Sequence, residues 1–266
     1  HPPMMHEFRA GSLLLEQCLQ GVKGLKVEVH DMGWVDDEST FRDADAVVIY
    51  ADGGPKHPAL QGEHLKTLQK LIDRGVGFGC MHYGVEVPPG EANEEFKSWI
   101  GGHYEHLYSC NPIWAPRFDK LPKHPVTNGV LPFSISDEWY FNMRFVGGIA
   151  GNEPYQQGSM KFTPILVAKP SDDVRDGPYV YPKGPYEHII NNSGRDEAML
   201  WVVERPDGGR GFGFTGGHFH LNWADANFRK VVLNTLNWVA RNEVPKNGIE
   251  SSVTEAQLYL NLDKKG

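Results

Sequence analysis

The chain has 266 residues, and 40% of them are hydrophobic, which is enough to bury the core of one large domain. The formal net charge of −8 argues against nucleic acid and against an anionic membrane surface, because both bind basic patches. No apolar run reaches the roughly 18 residues that span a bilayer, so we expect no membrane insertion. The three cysteines, Cys18, Cys80 and Cys110, are odd in number and lack metal-site spacing, which argues against a disulfide framework. The compartment stays open between the cytoplasm and export to a bacterial periplasm.

Helix and strand patterns alternate along the first 81 residues. Residues 6–21 and 60–73 have apolar side chains at helical spacing, and residues 24–30 alternate like a strand. Residues 46–51 and 76–81 are short apolar runs typical of strands that are buried on both faces. This alternation predicts an α/β fold with a doubly wound, mostly parallel sheet and helices on both faces.

A sheet of this kind normally begins with a strand that leads into the first helix, whereas this sequence begins in the loop before that helix. We therefore expect a central strand upstream of residue 1. Residues 1–243 are assigned to a single domain, and residues 244–266 to a tail that packs on it.

The second half of the chain mixes further elements with irregular segments. Residues 103–145 are rich in aromatic side chains and predict an added β segment, whereas residues 171–196 are polar, contain prolines and predict a surface excursion. The remaining patterns predict a helix at 91–100, a loop at 147–158, a strand at 163–168, a hairpin at 197–204 and 209–215, and a helix at 228–240.

His82 is the first candidate functional residue, because the strand before it breaks abruptly there. A sharp turn from a strand into a helix presents one side chain at the carboxyl edge of a sheet and needs small residues two positions away on both sides. His82 has Cys80 and Gly84 at those positions, whereas Cys80 would have the bulky Phe78 and His82. The test favours His82 at the tip and places Cys80 in the core.

Titratable side chains also follow three other predicted strand ends or loops. They are His1, His6 and Glu7 in the opening loop, Asp137 and Glu138 beside Trp139 and Tyr140, and His218 and His220 after Gly216-Gly217. Two or three histidines with a carboxylate suit zinc or a similar divalent ion that keeps an open position for water. There is no local metal motif, so hydrogen bonding within loops remains an alternative for His218 and His220.

The Asp137-Glu138 pair has two interpretations. A carboxyl group beside Trp139 and Tyr140 can have a raised pKa and serve as a general acid or base, and the aromatic rings suit stacking on a sugar. The alternative is one solvent-facing acid and one capping acid.

Five stretches of the chain resemble, in the same order, the ThuA-like family (trehalose-utilisation proteins) of the class I glutamine amidotransferase-like superfold. They are HPPMMHEF, ADAVVIYADGG, GVGFGCMHYGVE, HPVTNGVLPFSISDEWYF and GRGFGFTGGHFHLNWADANFRKVVLNTLNWVA, and they cover nearly the whole length. The resemblance implies a flavodoxin-like α/β sheet whose first strand leads into the opening loop. Amidotransferases carry a nucleophilic cysteine at the turn where this chain has His82, so glutamine hydrolysis is not expected.

The resemblance also implies a role in disaccharide catabolism, on 3-keto-glycosides. For such a substrate we expect metal-assisted acid–base chemistry, because a carbonyl at C3 acidifies the proton at C2 and a divalent ion can stabilise the resulting enediolate. We expect catalytic roles for His82, His218, Glu138 and Tyr140, and substrate contacts from Tyr83, Asp52, Trp139 and His220. The expected metal ligands are His6, His82 and His218; no nucleotide cofactor is expected, and a homo-oligomer is compatible with the sequence. The competing hypotheses are a non-catalytic carbohydrate-binding or scaffold protein and, less favoured, an amidotransferase or hydrolase that uses Cys80.

Overall fold

The structure, a computed structural model, describes residues 1–265. Seven α-helices are present in these residues: α1 (Phe8–Leu19), α2 (His64–Asp73), α3 (Asn93–Ile100), α4 (Asp172–Arg175), α5 (Glu187–Ile190), α6 (Ala226–Val239) and α7 (Glu255–Leu258). The strands are β1 (Ala46–Tyr50), β2 (Gly77–Met81), β3 (Gly102–His103), β4 (Ile113–Trp114), β5 (Arg117–Phe118), β6 (Phe133–Ser134), β7 (Asp137–Glu138), β8 (Arg144–Phe145), β9 (Tyr155–Gln157), β10 (Met160–Ala168), β11 (Glu197–Glu204) and β12 (Arg210–Phe214). No helix within the described residues is both long and apolar enough to cross a bilayer.

A six-stranded sheet in the order β1-β2-β12-β11-β10-β9 forms the centre of the fold. Strands β1, β2 and β12 are parallel neighbours, whereas β12, β11, β10 and β9 pair antiparallel. The sheet is therefore mixed and not mostly parallel as predicted. Short loops connect β9 to β10 and β11 to β12. A short loop can join only antiparallel strands, whereas parallel strands need a long crossover connection.

The hydrophobic core divides into two clusters, one on each side of the sheet. Helices α1 and α6 share one cluster with Met81 and Phe214, while α2 and α3 share the other with Phe78 and Cys80. Side chains alternate between the two faces along a strand, which is why Cys80 and Met81 enter different clusters. Helices thus cover both faces, as expected for an α/β fold. The doubly wound connection order remains a prediction.

Three predicted segments differ from the structure. Residues 24–30 form no strand, and β1, at the edge of the sheet, pairs only with β2 among the described residues; Leu25 and Val27 pack on the core instead. The predicted loop at 147–158 contains β9. The excursion at 171–196 contributes two short helices and the fully buried Arg175, so it is not confined to the surface.

The aromatic segment forms three short antiparallel ladders, β3–β8, β4–β7 and β5–β6. Several of its rings are buried in the core, including Trp114, Phe118 and Trp139. Ladder β4–β7 is the one that concerns function, because Asp137 and Glu138 form β7.

The parallel part of the sheet determines where functional side chains meet. Strands β1, β2 and β12 run in the same direction, so their carboxyl ends lie at the same edge. Asp52 follows β1, His82 follows β2, and the segment from Thr215 to His218 follows β12. Ligand sites of open α/β sheets form at this edge.

Candidate metal centre

His82 lies at the tip of a sharp turn that follows β2 directly. Its φ of 50° is in the left-handed region, which is unusual for a residue with a side chain and is found most often at functional sites. A Cβ at Gly84 would lie 3.0 Å from the carbonyl oxygen of Ile49, so this position tolerates little beyond glycine. The His82 side chain is fully buried, and Cys80 is in the strand core, as the small-residue test predicted.

The opening loop reaches the same edge by pairing with the loop that follows β12. The His6 backbone N–H donates to the His218 carbonyl (3.0 Å), and the His220 N–H donates to the Met4 carbonyl (2.9 Å). His6 also has a left-handed backbone, with φ of 53°. These two bonds hold the His6 and His218 side chains next to each other.

Asp137 holds the loop that carries His218. Its carboxylate is fully buried and accepts the backbone N–H groups of Gly217 (2.7 Å), His218 (3.1 Å) and Phe219 (3.2 Å). Such an acid binds the loop backbone and has no oxygen left for a ligand. Glu138 follows in the same strand and points to the opposite face, toward the histidines. Asp137 is therefore the capping acid that one interpretation of this pair predicted, whereas the prediction of a solvent-facing acid is wrong, since Glu138 is buried and points inward.

Four buried side chains, His6, His82, Glu138 and His218, present ligand atoms that all lie within 4.8 Å of one another. His6 Nε2 is 2.9 Å from His82 Nε2 and 2.8 Å from His218 Nδ1. Glu138 Oε2 is 2.6 Å from His218 Nδ1, 3.5 Å from His82 Nε2 and 3.7 Å from His6 Nε2. Three imidazole nitrogens and one carboxylate oxygen therefore converge on one point.

Hydrogen bonds on the outer side fix the tautomers of two histidines. His82 Nδ1–H donates to the Thr215 carbonyl (2.9 Å), which leaves a lone pair on Nε2. With His1 neutral, its Nε2–H donates to Asp52 (2.9 Å) and its Nδ1 accepts from His6 Nδ1–H (2.9 Å), so that His6 Nε2 also carries a lone pair. Two lone pairs thus face each other at 2.9 Å. A cation between them turns a repulsion into two bonds, and outer hydrogen bonds of this kind are typical of metal-binding histidines.

Glu138 supplies the negative charge of the cluster. Its Oε1 accepts from Asn111 Nδ2 (2.9 Å), whereas the buried Oε2 has no well-aligned hydrogen bond within the described residues. Burial alone would raise the pKa of Glu138, but polar contacts with His218, His6 and His82 outweigh it and hold the pKa well below its usual range. The carboxylate is therefore ionised at neutral pH, so the expected rise in its pKa is not found. Its Oε2 faces the three histidine nitrogens, where it can bind a proton or a metal ion.

Burial also keeps His6 neutral. It lowers the pKa of His6 to about 4, and the charges of His82 and His218 act in the same direction against a contribution from Glu138 that raises it. A neutral imidazole is the form that binds metals. The donor set, its ionisation and the unpartnered Oε2 all fit a divalent metal ion, so the cluster can hold one.

Three further predicted residues surround the cluster. The Tyr140 hydroxyl is 3.1 Å from His82 Nε2 and is buried. Tyr83 is half-buried, and its ring centroid lies 5.9 Å from that of His6. Asp52 lies at the mouth of the site and binds His1. These three side chains therefore lie next to the cluster or to His1, which contacts it.

Two predicted substrate contacts are not available. Trp139 is fully buried and packs against Phe214 and Phe228, so it has no face free for a sugar. His220 is also buried, in the turn after His218, with its ring near Glu7 and the backbone of Leu258. Of the two histidines only His218 joins the cluster, whereas His220 begins the 3-10 helix that follows.

Two contributors were missed at the sequence level. Asn111, which binds Glu138, lies in the aromatic segment without any spacing that would single it out. Thr215 contributes a backbone carbonyl, which the sequence does not identify. Only contacts formed in the fold reveal either residue.

Cys80 does not support a thiol mechanism. It is fully buried, and burial raises the pKa of its thiol well above the usual value, so the reactive thiolate is suppressed. The side chain at the tip of the turn after β2 is His82 and not a cysteine.

A family model described as trehalose utilisation, ThuA, matches residues 6–239. The chain belongs to the ThuA family. This membership confirms the resemblance seen in the sequence and indicates a carbohydrate-related role. No curated protein matches the chain.

Two solved structures share the fold of this ThuA protein. A ThuA-like protein from Bacteroides uniformis ATCC 8492 is 15% identical, with a TM-score of 0.58 over 90% of this chain and 87% of that one. A ThuA-like protein from Parabacteroides merdae ATCC 43184 is 17% identical, with a TM-score of 0.56 over 91% and 88% of the two chains. At this identity the likeness supports the fold alone.

Proposed function

We propose that this ThuA protein cleaves keto-glycosides by metal-assisted acid–base chemistry. The observation that carries the proposal is the cluster of three inward-facing histidines beside an ionised glutamate. His6, His82 and His218 would hold zinc or a similar divalent ion, because neutral imidazoles suit such ions. The family's description, trehalose utilisation, supports a disaccharide as the source of the substrate.

A carbonyl at C3 of a glycoside acidifies the proton on C2, and loss of that proton allows the C1 substituent to leave. A bound ion would polarise this carbonyl and stabilise the negative charge that develops on its oxygen. Glu138 Oε2 takes the proton from C2, since it is ionised and is the oxygen of this carboxylate that lacks a well-aligned hydrogen bond. Asn111 holds the other oxygen and so fixes the direction of the free one.

Tyr140 and the residues at the mouth position the substrate. The Tyr140 hydroxyl stays protonated, because burial and then the charge of Glu138 raise its pKa well above the usual value. It can therefore donate a hydrogen bond to a substrate oxygen bound beside His82. Tyr83 offers a half-buried ring for stacking, and Asp52 offers a carboxylate to sugar hydroxyls.

The direct test uses trehalose oxidised to the ketone at C3 of one ring, with unoxidised trehalose as the control. The wild-type protein is expected to release glucose from the ketone only, and to exchange its C2 proton for deuterium in D2O. Glu138→Gln should lower both rates about 100-fold or more while the metal content stays unchanged. Loss of the metal in this variant would make Glu138 a ligand instead of the base. Absence of turnover with tight binding of the ketone would favour a carbohydrate-binding protein.

A further inference from the structure

Glu86 is a carboxyl group near the cluster to which the proposed chemistry assigns no role. It follows His82 by four residues, after the single 3-10 turn His82–Val85, and so lies at the same end of β2. Its side chain makes no hydrogen bond or ion pair with any residue from 1 to 265, although it is partly buried. Every other carboxylate described above binds a backbone N–H, a side chain or the histidine cluster.

The backbone around Glu86 is held firmly on both sides. Its carbonyl accepts the N–H of Gly54 (3.0 Å), its own N–H donates to the Tyr83 carbonyl (3.0 Å), and it pairs with Tyr104 in a parallel bridge. The unpaired carboxyl group is therefore not part of a mobile segment. A fixed position without a partner is what a group that acts on a bound substrate requires.

The carboxyl group lies beside Gly54 and the hydroxyl group of Tyr83. A Cβ built on Gly54 would lie 3.7 Å from Glu86 Oε1 and 3.6 Å from the Tyr83 hydroxyl oxygen. Two polar groups thus approach the same point, which the glycine leaves free. The ring of Tyr83 also lies 5.9 Å, centroid to centroid, from the ring of His6, a member of the cluster. Glu86 is therefore linked to the cluster through Tyr83.

Glu86 also lies close enough to the cluster to influence it. Burial, together with the charge of Glu138, raises the pKa of Glu86 itself to about 7. A large share of Glu86 is therefore protonated at neutral pH and can give up a proton.

We infer that Glu86 is the general acid that protonates the leaving sugar, and that this sugar binds beside Tyr83. The inference rests on the proposed function. Glu138 takes the C2 proton, the C2–H electron pair forms a C1=C2 double bond, and the C1–O bond breaks. The departing oxygen takes its electron pair and the proton of the Glu86 carboxyl group. The products are the free sugar and a cyclic 2-hydroxy-enone, so atoms and electrons balance without an oxidant.

The test varies the leaving group. A sugar hydroxyl is a poor leaving group and needs a proton, whereas p-nitrophenolate leaves without one. Glu86→Gln should therefore lower kcat for 3-keto-trehalose about 100-fold or more and lower it less than about fivefold for the p-nitrophenyl 3-keto-glucoside. Deuterium exchange at C2 and metal content should stay at wild-type levels. Glu91→Gln, which changes an exposed glutamate nearby, should behave like wild type.

Equal losses on the two substrates, or full activity on both, would overturn the role of Glu86. A variant that has lost deuterium exchange would also overturn it, because the acid acts after the C2 proton is removed. A wild-type protein that cleaves neither ketone would instead overturn the proposed function, and the inference with it.

Discussion

The metal cluster joins two regions of different construction. His82, Glu138 and His218 belong to the sheet edge and β7, where the fold holds each of them with buried hydrogen bonds from its own surroundings. His6 belongs to the opening loop, which has no strand of its own and depends on contacts with the loop after β12 and with the tail. Three of the four donors therefore come from the scaffold, and the fourth comes from a segment docked on it.

The tail holds the docked segment from outside. Lys265 Nζ donates to the carbonyls of Met5 (3.2 Å) and His6 (3.1 Å), and the Asp263 N–H donates to Glu7 Oε2 (2.7 Å). Glu7 is buried, and its Oε1 accepts the Met4 N–H (2.9 Å). The comparison predicts that changes in the scaffold cost stability and metal together, whereas changes in the tail affect metal affinity alone.

The largest effect is expected from Asp137→Ala. The substitution leaves buried backbone N–H groups of Gly217, His218 and Phe219 without their acceptor, at about 1–3 kcal/mol each. The free energy of unfolding in urea should fall by at least about 3 kcal/mol, and the metal should be lost. Asp119→Ala, at an exposed aspartate, is the control and should change neither quantity. A stable Asp137→Ala protein with full metal content would refute the scaffold's role.

An intermediate effect is expected from pH. Burial lowers the pKa of His6, His57, His103 and His124 to about 4 from the ordinary 6.5, so the unfolded chain binds more protons than the folded one between these values. Stability is then fully present above about pH 6.5 and is lost as the pH falls toward 4, on the order of 1 kcal/mol or more per histidine. This loss of stability is measured by urea unfolding of the metal-free protein at several pH values between 7 and 4.5. A free energy that stays constant would contradict the burial of these rings as neutral groups.

The smallest effect is expected from Lys265→Ala. Loss of its bonds to the opening loop should weaken metal affinity about tenfold, because His6 is held less firmly, and leave the free energy of unfolding within about 0.5 kcal/mol. Competition with a chelator measures the affinity, and Lys264→Ala, at an exposed neighbour, is the control. Equal affinities in the two variants would show that the tail does not support the site.

The sequence predicted the residues that meet at strand ends better than those that meet across loops. His82 could be placed at the tip of the turn because it has small residues two positions away on both sides. His218 could be placed at a strand end because an apolar strand and two glycines precede it. Asn111, in contrast, contacts Glu138 only after β4 and β7 pair, a non-local event without a local signal. Trp139 was expected at the surface of the site because aromatic residues suit sugars, but its large apolar area gains more from the core.

Some strands of the sheet could be predicted and others could not. The parallel strands β1 and β2 were predicted from their apolar runs, and the hairpin β11–β12 was predicted from the turn residues between its strands. The strand predicted at 24–30 does not form. An alternating pattern shows that a segment can form a strand, but it does not show that the segment pairs with another strand.

Elemental analysis of the purified protein, beside His82→Ala and His6→Ala, tests the central claim most directly. We predict about one divalent ion per chain in the wild-type protein, loss of the ion in both variants, and folded protein in at least His6→Ala, whose loop lies outside the sheet. A wild-type protein that cannot be loaded with any divalent ion, or variants that keep the full metal content, would contradict the assignment of this cluster as a metal centre.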